Sequence, residues 1–177
     1  MKTVLVTGGC GYIGSHVTRQ LSEAGYKVVV IDNLSTGFRE ALINGEELVV
    51  SNAGDKDLLH SIFSKHQISA VLHFAASIIV PDSVAMPLSY YENNTVNTLR
   101  LLESMTEHKI PNLIFSSTAA IYGNATEDIV TEDSVAQPAN PYARSKLMDE
   151  WAIADTSLAH SLKFAVIRYF NVAGADP

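Results

Sequence analysis

Two side chains near the C-terminal end of the sequence have the types and spacing of an acid–base pair. Tyr142 and Lys146 are four residues apart, so a helix would carry the phenol and the ammonium group on one face. An unperturbed tyrosine, with a pKa of about 10, is a poor base at neutral pH, and lowering that pKa to about 7 takes about 4 kcal/mol. A cation at about 4 Å supplies about 1 kcal/mol in bulk water and about 4 kcal/mol near a protein surface. The pair therefore predicts a general base whose pKa Lys146 lowers, provided that a cleft partly desolvates both groups.

A hydroxyl group is available to assist this base. The segment Ser116-Ser117-Thr118 closes an apolar run, and open α/β sheets bind ligands at the carboxyl ends of their strands. Thr118 could hydrogen-bond a substrate hydroxyl and relay its proton to Tyr142. Taken alone, a Tyr/Lys pair at this spacing is usually a packed tyrosine beside a surface lysine, so the catalytic interpretation depends on motifs elsewhere.

The N-terminal segment has the pattern of a phosphate-binding loop. An apolar run at residues 4–7 leads into Gly8-Gly9-Cys10-Gly11-Tyr12-Ile13-Gly14, and a helical pattern begins at Ser15. A helix N-terminus presents backbone N–H groups and the positive end of the helix dipole to an anion. The spacing of Gly8, Gly11 and Gly14 permits a tight turn, close approach of a pyrophosphate, and close packing of the helix on the sheet. The loop therefore predicts a dinucleotide site.

An acidic residue stands where such a site would bind a ribose. The apolar run at residues 27–31 ends in Asp32, at about the expected 20-residue distance from the glycine loop. A carboxylate there accepts hydrogen bonds from both ribose hydroxyls and repels a 2′-phosphate, which favours NAD over NADP. The alternative is that Asp32 only caps a loop. Arg39 lies too far past the strand to suit a 2′-phosphate and is interpreted as a surface residue.

An alternation of strands and helices must position these residues. Short, β-branched, apolar runs predict buried parallel strands at residues 3–7, 27–31, 47–51, 70–74, 112–116 and 164–168. Helical patterns separate them at 15–24, 57–66, 90–108 and 142–160. Right-handed crossovers then give an α/β fold, a doubly wound parallel (Rossmann) sheet in the strand order 3-2-1-4-5-6. The longest irregular segment, 122–141, is expected to lie over the site.

The composition excludes several classes of function. The 177 residues are 47% hydrophobic and carry a net charge of −7, which indicates a soluble globular domain and not a disordered or nucleic-acid-binding chain. No basic cluster is present, no apolar run approaches the about 20 residues that span a bilayer, and a strand begins almost at the N-terminus. Neither a nucleic acid nor a membrane is therefore expected as a partner.

Cysteine and histidine usage gives two further expectations. The single cysteine, Cys10, excludes an internal disulfide and fits a reducing cytoplasm. It is interpreted as a small side chain tolerated in the glycine loop, not as a reactive thiol at a helix N-terminus. The histidines show no close spacing with other ligand residues, so no metal site is expected.

Several segments together resemble the extended short-chain dehydrogenase/reductase superfamily. They are TGGCGYIGSH (7–16), IDNLS (31–35), HFAA (73–76), FSSTAAIYG (115–123), PYARSK (141–146) and RYFNVAG (168–174). Within that superfamily the chain is most similar to the UDP-glucose 4-epimerase family, also called UDP-galactose 4-epimerases. The resemblance implies reversible inversion at C4 of a UDP-hexose, with NAD as the cofactor.

The resemblance also implies roles for individual residues. Tyr142 takes the O4 proton with help from Thr118 while NAD takes the C4 hydride, and the 4-keto sugar then rotates and is reduced on its other face. Lys146 binds the nicotinamide ribose as well as acting on the tyrosine. Asn171 is matched to a substrate contact, beside Thr118 and Tyr142. The implied cofactor contacts are Gly8, Gly11, Tyr12, Ile13, Gly14, Asp32, Asn33, Leu34, Ser35, Thr36, Asp55, Lys56, Phe74, Ala75, Ala76, Asn93, Tyr142, Lys146 and Phe170.

The chain departs from the family pattern at two positions and in length. Some epimerases carry a lysine where Ile78 stands, and a family glycine near the fourth helix is replaced by Asn97. Family members continue into a smaller C-terminal substrate domain. Residues 1–177 are therefore interpreted as a truncated NAD-binding Rossmann domain, expected to bind NAD without turnover. The resemblance further implies a homodimer formed through the helices at 90–108 and 142–160.

Related chemistries remain as alternatives. Nucleotide-sugar 4,6-dehydratases place an acidic pair after the threonine, whereas Ala119 and Ala120 follow Thr118 here. UDP-glucuronate epimerases and decarboxylases stay open, because their carboxylate-binding residues need not lie in this segment. A non-catalytic NAD-binding module is the alternative of another class; such a module can lose the tyrosine or the lysine, and both are present.

Overall fold

The apolar runs form one parallel sheet. The computed structural model describes residues 2–124 and 129–175, and all the strand pairs in this part of the chain are parallel. The sheet order is β3-β2-β1-β4-β5-β6, which confirms the predicted doubly wound α/β fold. The strands are β1 (Thr3–Thr7), β2 (Lys27–Asp32), β3 (Glu47–Val50), β4 (Ile68–His73), β5 (Asn112–Thr118) and β6 (Lys163–Tyr169).

Helices connect these strands in the predicted places, with additional short elements. The α-helices are α1 (Tyr12–Glu23), α2 (Lys56–Lys65), α3 (Val80–Ala85), α4 (Pro87–Tyr90), α5 (Asn97–Glu107) and α6 (Pro141–His160). A π-helical segment, Tyr91–Val96, joins α4 directly to α5. Short 3₁₀ turns occur at Arg39–Ala41 and Ala119–Tyr122.

Several predicted boundaries are wrong, for local reasons. Helix α1 begins at Tyr12 and not at Ser15, because the backbone N–H of Ser15 already donates to the carbonyl of Gly11 at 2.9 Å. The helical pattern predicted from residue 90 starts earlier, since Pro87 opens α4 at a first-turn position that suits proline. Helix α3 and the 3₁₀ turn at Ala119–Tyr122 were not predicted, because elements of six and four residues carry too little periodicity to detect.

Side chains of alternating residues fill the two faces of the sheet. On one face Leu5, Val29, Ile31 and Phe115 pack against α2, α5 and α6. On the other face the buried residues include Val4, Val6, Val28, Val30 and Leu72, which pack with side chains of α1. Adjacent residues of β1 therefore point into different hydrophobic clusters, as a strand covered on both sides requires.

No helix in the described ranges, 2–124 and 129–175, is long and apolar enough to cross a membrane.

A buried ion pair holds α6 against β6. Arg168 donates from Nη2 to Oε2 of Glu150 at 2.7 Å, and from Nη1 to the hydroxyl of Tyr122 at 2.7 Å and the carbonyl of Glu132 at 3.1 Å. The hydroxyl of Ser117 on β5 donates to the other carboxylate oxygen of Glu150. One carboxylate thus links two strands to the helix that carries Tyr142 and Lys146.

We expect Arg168→Met to lower the free energy of unfolding by about 3 kcal/mol, because it leaves the Glu150 carboxylate buried without its cation. That value is the low end of the range for buried pairs, since a quarter of the Arg168 side chain is exposed (26%) while Glu150 is 7% exposed. Urea denaturation followed by circular dichroism measures the loss.

The matched control is Lys65→Met, which breaks the exposed Lys65–Glu47 pair and should cost less than about 1 kcal/mol. The double variant Glu150→Gln/Arg168→Met should recover part of the loss, since no unpaired charge remains. Equal losses for Arg168→Met and Lys65→Met would contradict this assignment of the buried pair.

Candidate active site

The glycine loop is held by contacts between backbone atoms. Gly8 has a φ of +71°, and a Cβ there would lie 2.6 Å from the backbone nitrogen of Ala75. A Cβ on Gly14 would lie 2.0 Å from the carbonyl oxygen of Gly8. Gly11 differs, because its Cβ would meet only that same carbonyl oxygen, at 3.4 Å. Gly8 and Gly14 are therefore required for packing, whereas Gly11 leaves open space beside Tyr12 and Ile13 in the first turn of α1.

Asp32 connects the glycine loop to the loop that follows β2. Its Oδ2 accepts from the backbone N–H of Cys10 at 2.9 Å, and its Oδ1 accepts from the backbone N–H of Leu34 at 2.8 Å. Burial and the neighbouring Asp32 charge raise the pKa of the Cys10 thiol to about 11. The thiol is therefore protonated at neutral pH, in line with the interpretation of Cys10 as a small packed side chain.

The loop after β2 is ordered by its own asparagine and presents polar groups to solvent. The Asn33 side chain accepts from the N–H of Ser35 at 3.0 Å and donates to Asn52 at 3.0 Å. Leu34 adopts the left-handed conformation, with a φ of 56°. Asn33, Ser35 and Thr36 are exposed, so their side chains border the surface next to Asp32.

Asp55 and Lys56 have structural contacts in addition to any contact with a ligand. Asp55 caps α2, accepting from the N–H of Leu58 at 3.1 Å and from the Ser51 hydroxyl at 2.8 Å. Lys56 pairs with Glu103 at 2.8 Å. The sequence pattern pointed to neither contact, although an aspartate followed by an apolar helical pattern is typical of an N-cap.

A neutral histidine lies at the centre of a hydrogen-bonded chain at the end of β4. His73 Nδ1 lies 2.5 Å from the Thr7 hydroxyl, and His73 Nε2 lies 3.0 Å from the Thr98 hydroxyl. Because Thr98 donates its own hydrogen to the Asn94 carbonyl at 2.7 Å, it must accept from Nε2–H, so Nδ1 accepts from Thr7. Complete burial, and to a lesser degree the charge of Lys146, lower the pKa of His73 to about 3. The uncharged imidazole therefore links β1 and β4 to α5, which carries Thr98.

Two adjacent asparagines tie the segment after β4 to α6. Asn94, in the π-helical segment, accepts from the N–H of Ser77 at 2.8 Å and donates to the Ser77 carbonyl and to the Ser145 hydroxyl, both at 3.0 Å. Asn93 donates to the Ser77 hydroxyl at 2.9 Å. These contacts lie beside Phe74, Ala75 and Ala76. The sequence analysis did not predict the roles of Asn94 and Ser145 in them. The available signal was an Asn-Asn pair inside a helical pattern, where asparagine is otherwise unfavourable.

The two positions that depart from the family pattern have different environments. Asn97 packs against Gly54, where an added Cβ would lie 2.5 Å from Asn97 Oδ1, and its amide donates to the Asn93 carbonyl at 3.1 Å. Asn97 therefore fills space between α5 and the loop before α2. Ile78 is exposed, so it gives an apolar surface where a lysine would give a charge.

Helix α6 brings Tyr142 and Lys146 to the end of β5. Asn140 caps the helix by accepting from the N–H of Ala143 at 2.9 Å, and Pro141 occupies its first turn. Lys146 is 3% exposed; its Nζ donates to the Ser116 carbonyl at 2.9 Å and lies 4.7 Å from the centre of the Phe115 ring. Burial lowers the pKa of Lys146 to about 8, against the raising effect of the Asp149 and Glu150 charges.

The expected lowering of the Tyr142 pKa is wrong for this structure. Burial raises the pKa of Tyr142, and the hydrogen bond with Thr118 only partly opposes that effect. Burial and the Thr118 hydrogen bond are the causes that act on the pKa of this phenol, whereas the Lys146 ammonium group is directed at the Ser116 carbonyl. The structure nevertheless brings Thr118, Tyr142 and Lys146 together, as predicted.

The residues after β6 lie at the same edge of the sheet. Thr118 and Tyr169 are paired in register at the ends of β5 and β6, so Phe170 and Asn171 follow at the level of Thr118. Phe170 is 74% exposed. The chain then returns to the glycine loop, where the Tyr12 hydroxyl donates to the Gly174 carbonyl at 2.6 Å.

The chain is similar to known proteins over nearly its whole length. Residues 4–177 match the model of the NAD dependent epimerase/dehydratase family. The chain belongs to this family. Over 174 residues it is 50% identical to a UDP-glucose 4-epimerase of Azospirillum brasilense, a match that covers 98% of the chain and 50% of that protein.

Two further relatives show the breadth of the similarity. The chain is 43% identical to the putative UDP-arabinose 4-epimerase 4 of Arabidopsis thaliana, covering 98% of the chain and 42% of that protein. Among solved structures, the UDP-glucose 4-epimerase of Brucella ovis in complex with NAD superimposes with a TM-score of 0.96 at 41% identity, covering 99% of the chain and 54% of that chain. The chain thus spans about half the length of the relatives it matches.

We expect Gly14→Ala to destabilise the protein by more than about 2 kcal/mol, because the new Cβ overlaps a backbone carbonyl that cannot move without displacing the loop. Gly11→Ala is the matched control, since its Cβ makes only an ordinary contact and its φ is not in the left-handed region. Thermal denaturation of both variants without added ligand measures the difference. Equal melting temperatures would contradict the assignment of Gly14 as the glycine required for packing.

Proposed function

We propose that residues 1–177 form the NAD-binding domain of a UDP-hexose 4-epimerase, which interconverts UDP-glucose and UDP-galactose, and that they carry its acid–base residues. The observation that supports this best is the convergence of Thr118, Tyr142 and the buried Lys146 on the sheet edge where the glycine loop begins. Family membership and 50% identity to a UDP-glucose 4-epimerase support the same assignment.

The residues at this edge suit NAD. Gly11 leaves space beside the first turn of α1, whose N–H groups have no partners within the helix and favour a pyrophosphate. Each carboxylate oxygen of Asp32 accepts one backbone N–H, which leaves further lone pairs for the two ribose hydroxyls. The same charge would repel a 2′-phosphate. Next to this site, Leu34, Ser35 and Thr36 would border the adenosine half of NAD. The rest of the cofactor would be bordered by Phe74, Ala75, Ala76, Asn93 and Phe170.

The chemistry requires a base for O4 and an acceptor for the C4 hydrogen. Bound NAD would supply the hydride acceptor. Tyr142 would remove the O4 proton, with Thr118 holding the sugar hydroxyl. Since burial raises the pKa of Tyr142, the phenolate needs a nearby positive charge. Lys146, with a pKa of about 8, is mostly in its protonated form at pH 7. Its charge is screened little by water in its buried position.

The alternatives differ in what they require of this domain. Ala119 and Ala120 follow Thr118 in a turn, in which the Thr118 hydroxyl accepts from the N–H of Ala120 at 3.1 Å. Because neither alanine has an ionisable side chain, no acid–base pair for water loss follows the threonine. UDP-arabinose, the sugar in the name of one relative, would undergo the same inversion at C4. UDP-glucuronate epimerases and decarboxylases also share the Tyr/Lys chemistry, and a non-catalytic NAD-binding module would not need Tyr142.

We also propose a homodimer formed through the helices at 87–107 and 141–160. Large apolar side chains are exposed on both: Leu99 on α5, and Met148 and Trp151 on α6. These helices lie beside one another, since Thr95 donates to the Ser145 carbonyl at 3.4 Å.

Asn171 would contact the sugar from the end of β6.

We expect this chain to bind NAD, with NADP bound at least about 100-fold more weakly because Asp32 opposes the 2′-phosphate. Lys146→Met should weaken NAD binding by about 10- to 100-fold, the loss of a charge-assisted hydrogen bond to the ribose. Lys27→Met, at the opposite edge of the sheet, should leave the affinity unchanged. Isothermal titration calorimetry measures all four values. Tight binding by Lys146→Met would contradict the proposed contact.

Catalysis is tested in a chimera in which residues 1–177 replace the matching half of the Azospirillum brasilense UDP-glucose 4-epimerase. We expect the chimera to convert UDP-galactose to UDP-glucose and Tyr142→Phe to lower kcat by about 10²–10⁴-fold, the usual contribution of a general base. Tyr26→Phe, which removes a hydroxyl far from the site, is the control. Undiminished activity of Tyr142→Phe would exclude the phenol as the base.

A further inference from the structure

Helix α6 contains a buried acid that the proposed mechanism does not use. Asp149 lies three residues after Lys146 and is 1% exposed, and neither of its carboxylate oxygens has a hydrogen-bond partner in the described part of the chain. The hydroxyls of Thr95 and Thr98 lie beside it and favour its charged form, although neither hydroxyl has the geometry of a hydrogen bond to its carboxylate oxygens. Both of them donate to main-chain carbonyls, Thr95 to Ser145 and Thr98 to Asn94. Since a buried charge without a partner is strongly unfavourable, Asp149 needs a cation or a proton.

The surroundings of Asp149 leave one cation for this role among the described residues. Arg168, on β6, is bound by Glu150, by Tyr122 and by the Glu132 carbonyl. His73, on β4, is neutral and donates to Thr98. Lys146 makes one hydrogen bond, to the Ser116 carbonyl, and an ammonium group has three donors. Lys146 also lies on the same helical face as Asp149, three residues away.

We propose that Asp149 is a positioning residue for Lys146: its carboxylate supplies the buried negative charge that keeps the Lys146 side chain protonated. The inference rests on the proposed function for the catalytic role of Lys146, but the coupling between the two side chains does not. Glu150 is the other nearby acid, and its charge is already compensated by Arg168 at 2.7 Å.

The electrostatics of the two groups are consistent with such a pair. Burial lowers the pKa of Lys146, and Asp149 is the first of the charges that oppose this effect. Burial likewise raises the pKa of Asp149 to about 7, and Lys146 is the first group that opposes it. Each charge therefore favours the ionised form of the other group, against the effect of burial. Without the Asp149 charge, the Lys146 ammonium group would lose its proton at a lower pH.

The direct test is a lysine titration by NMR on this chain. The sequence has seven lysines, so ¹³Cε-lysine labelling gives few resonances, and Lys146→Arg identifies the one from Lys146. We expect Asp149→Asn to lower the pKa of Lys146 by about one unit or more, the usual effect of removing a close opposite charge. Asp155→Asn removes a charge from the exposed face of the same helix and should leave that pKa unchanged. An unchanged Lys146 titration in Asp149→Asn would overturn the inference.

A reciprocal measurement keeps the test decisive if Asp149→Asn does not fold. Coupling is mutual, so Lys146→Met should raise the pKa of Asp149, measured on its ¹³Cγ resonance, by the amount that Asp149→Asn lowers that of Lys146. An Asp149 titration that is unaffected by Lys146→Met would overturn the inference by itself.

The link to function is the pH profile of NAD binding. We expect the upper pH limit of binding to move down in Asp149→Asn by the shift in the Lys146 pKa, and Asp149→Glu to restore it at least in part. A lost affinity with no change in the pH midpoint would indicate a merely structural role and would overturn the positioning role. If the two pKa values are coupled but the chain does not bind NAD at any pH, the proposed function fails while the coupling stands.

Discussion

Close contact between backbone segments at the end of β1 constrains the whole candidate site. Gly8 lies against the backbone of Ala75, and Gly14 lies against the carbonyl of Gly8, so no side chain separates the ends of β1 and β4 from the first turn of α1. The helix N-terminus, the Asp32 carboxylate and the segment after β4 can therefore share a small volume. Asp32 secures the same loop from the other side through the N–H of Cys10. A larger residue at Gly8 or Gly14 would separate these elements before it touched any ligand.

A second constraint is that the polar groups buried behind this edge must find partners. The chain from Thr7 through His73 and Thr98 to Asn94 meets that requirement, and Asn94 extends it to Ser145 on α6. The helix with the proposed base is thereby tied to the strand that would border the cofactor. Because an unpaired buried polar group costs about 1–3 kcal/mol, such a network specifies one relative placement of these elements. Asp149 is one buried group in the described part of the chain for which hydrogen bonds do not meet this requirement.

The sequence predicted those features that depend on local pattern. The six strands, their order and the convergence of Thr118, Tyr142 and Lys146 follow from apolar runs and from the rule that ligands meet the carboxyl ends of parallel strands. The direction of the Tyr142 pKa shift did not follow, because it depends on where the Lys146 ammonium points. The Asn94–Ser145 contact spans 51 residues, so it also required the three-dimensional arrangement. The roles of individual cofactor and substrate contacts remain predictions.

The burial of Cys10 has a practical consequence for spectroscopy. The only sulfhydryl of the chain lies inside the protein, and its raised pKa of about 11 leaves almost no nucleophilic thiolate at neutral pH. Maleimide and methanethiosulfonate reagents should therefore not react with Cys10 in the folded chain. Two cysteines, one introduced at an exposed position of α6 and one in the loop after β2, would be the attachment points for a pair of spin labels or fluorophores. Distances across the sheet edge would then be measurable without first removing the native cysteine.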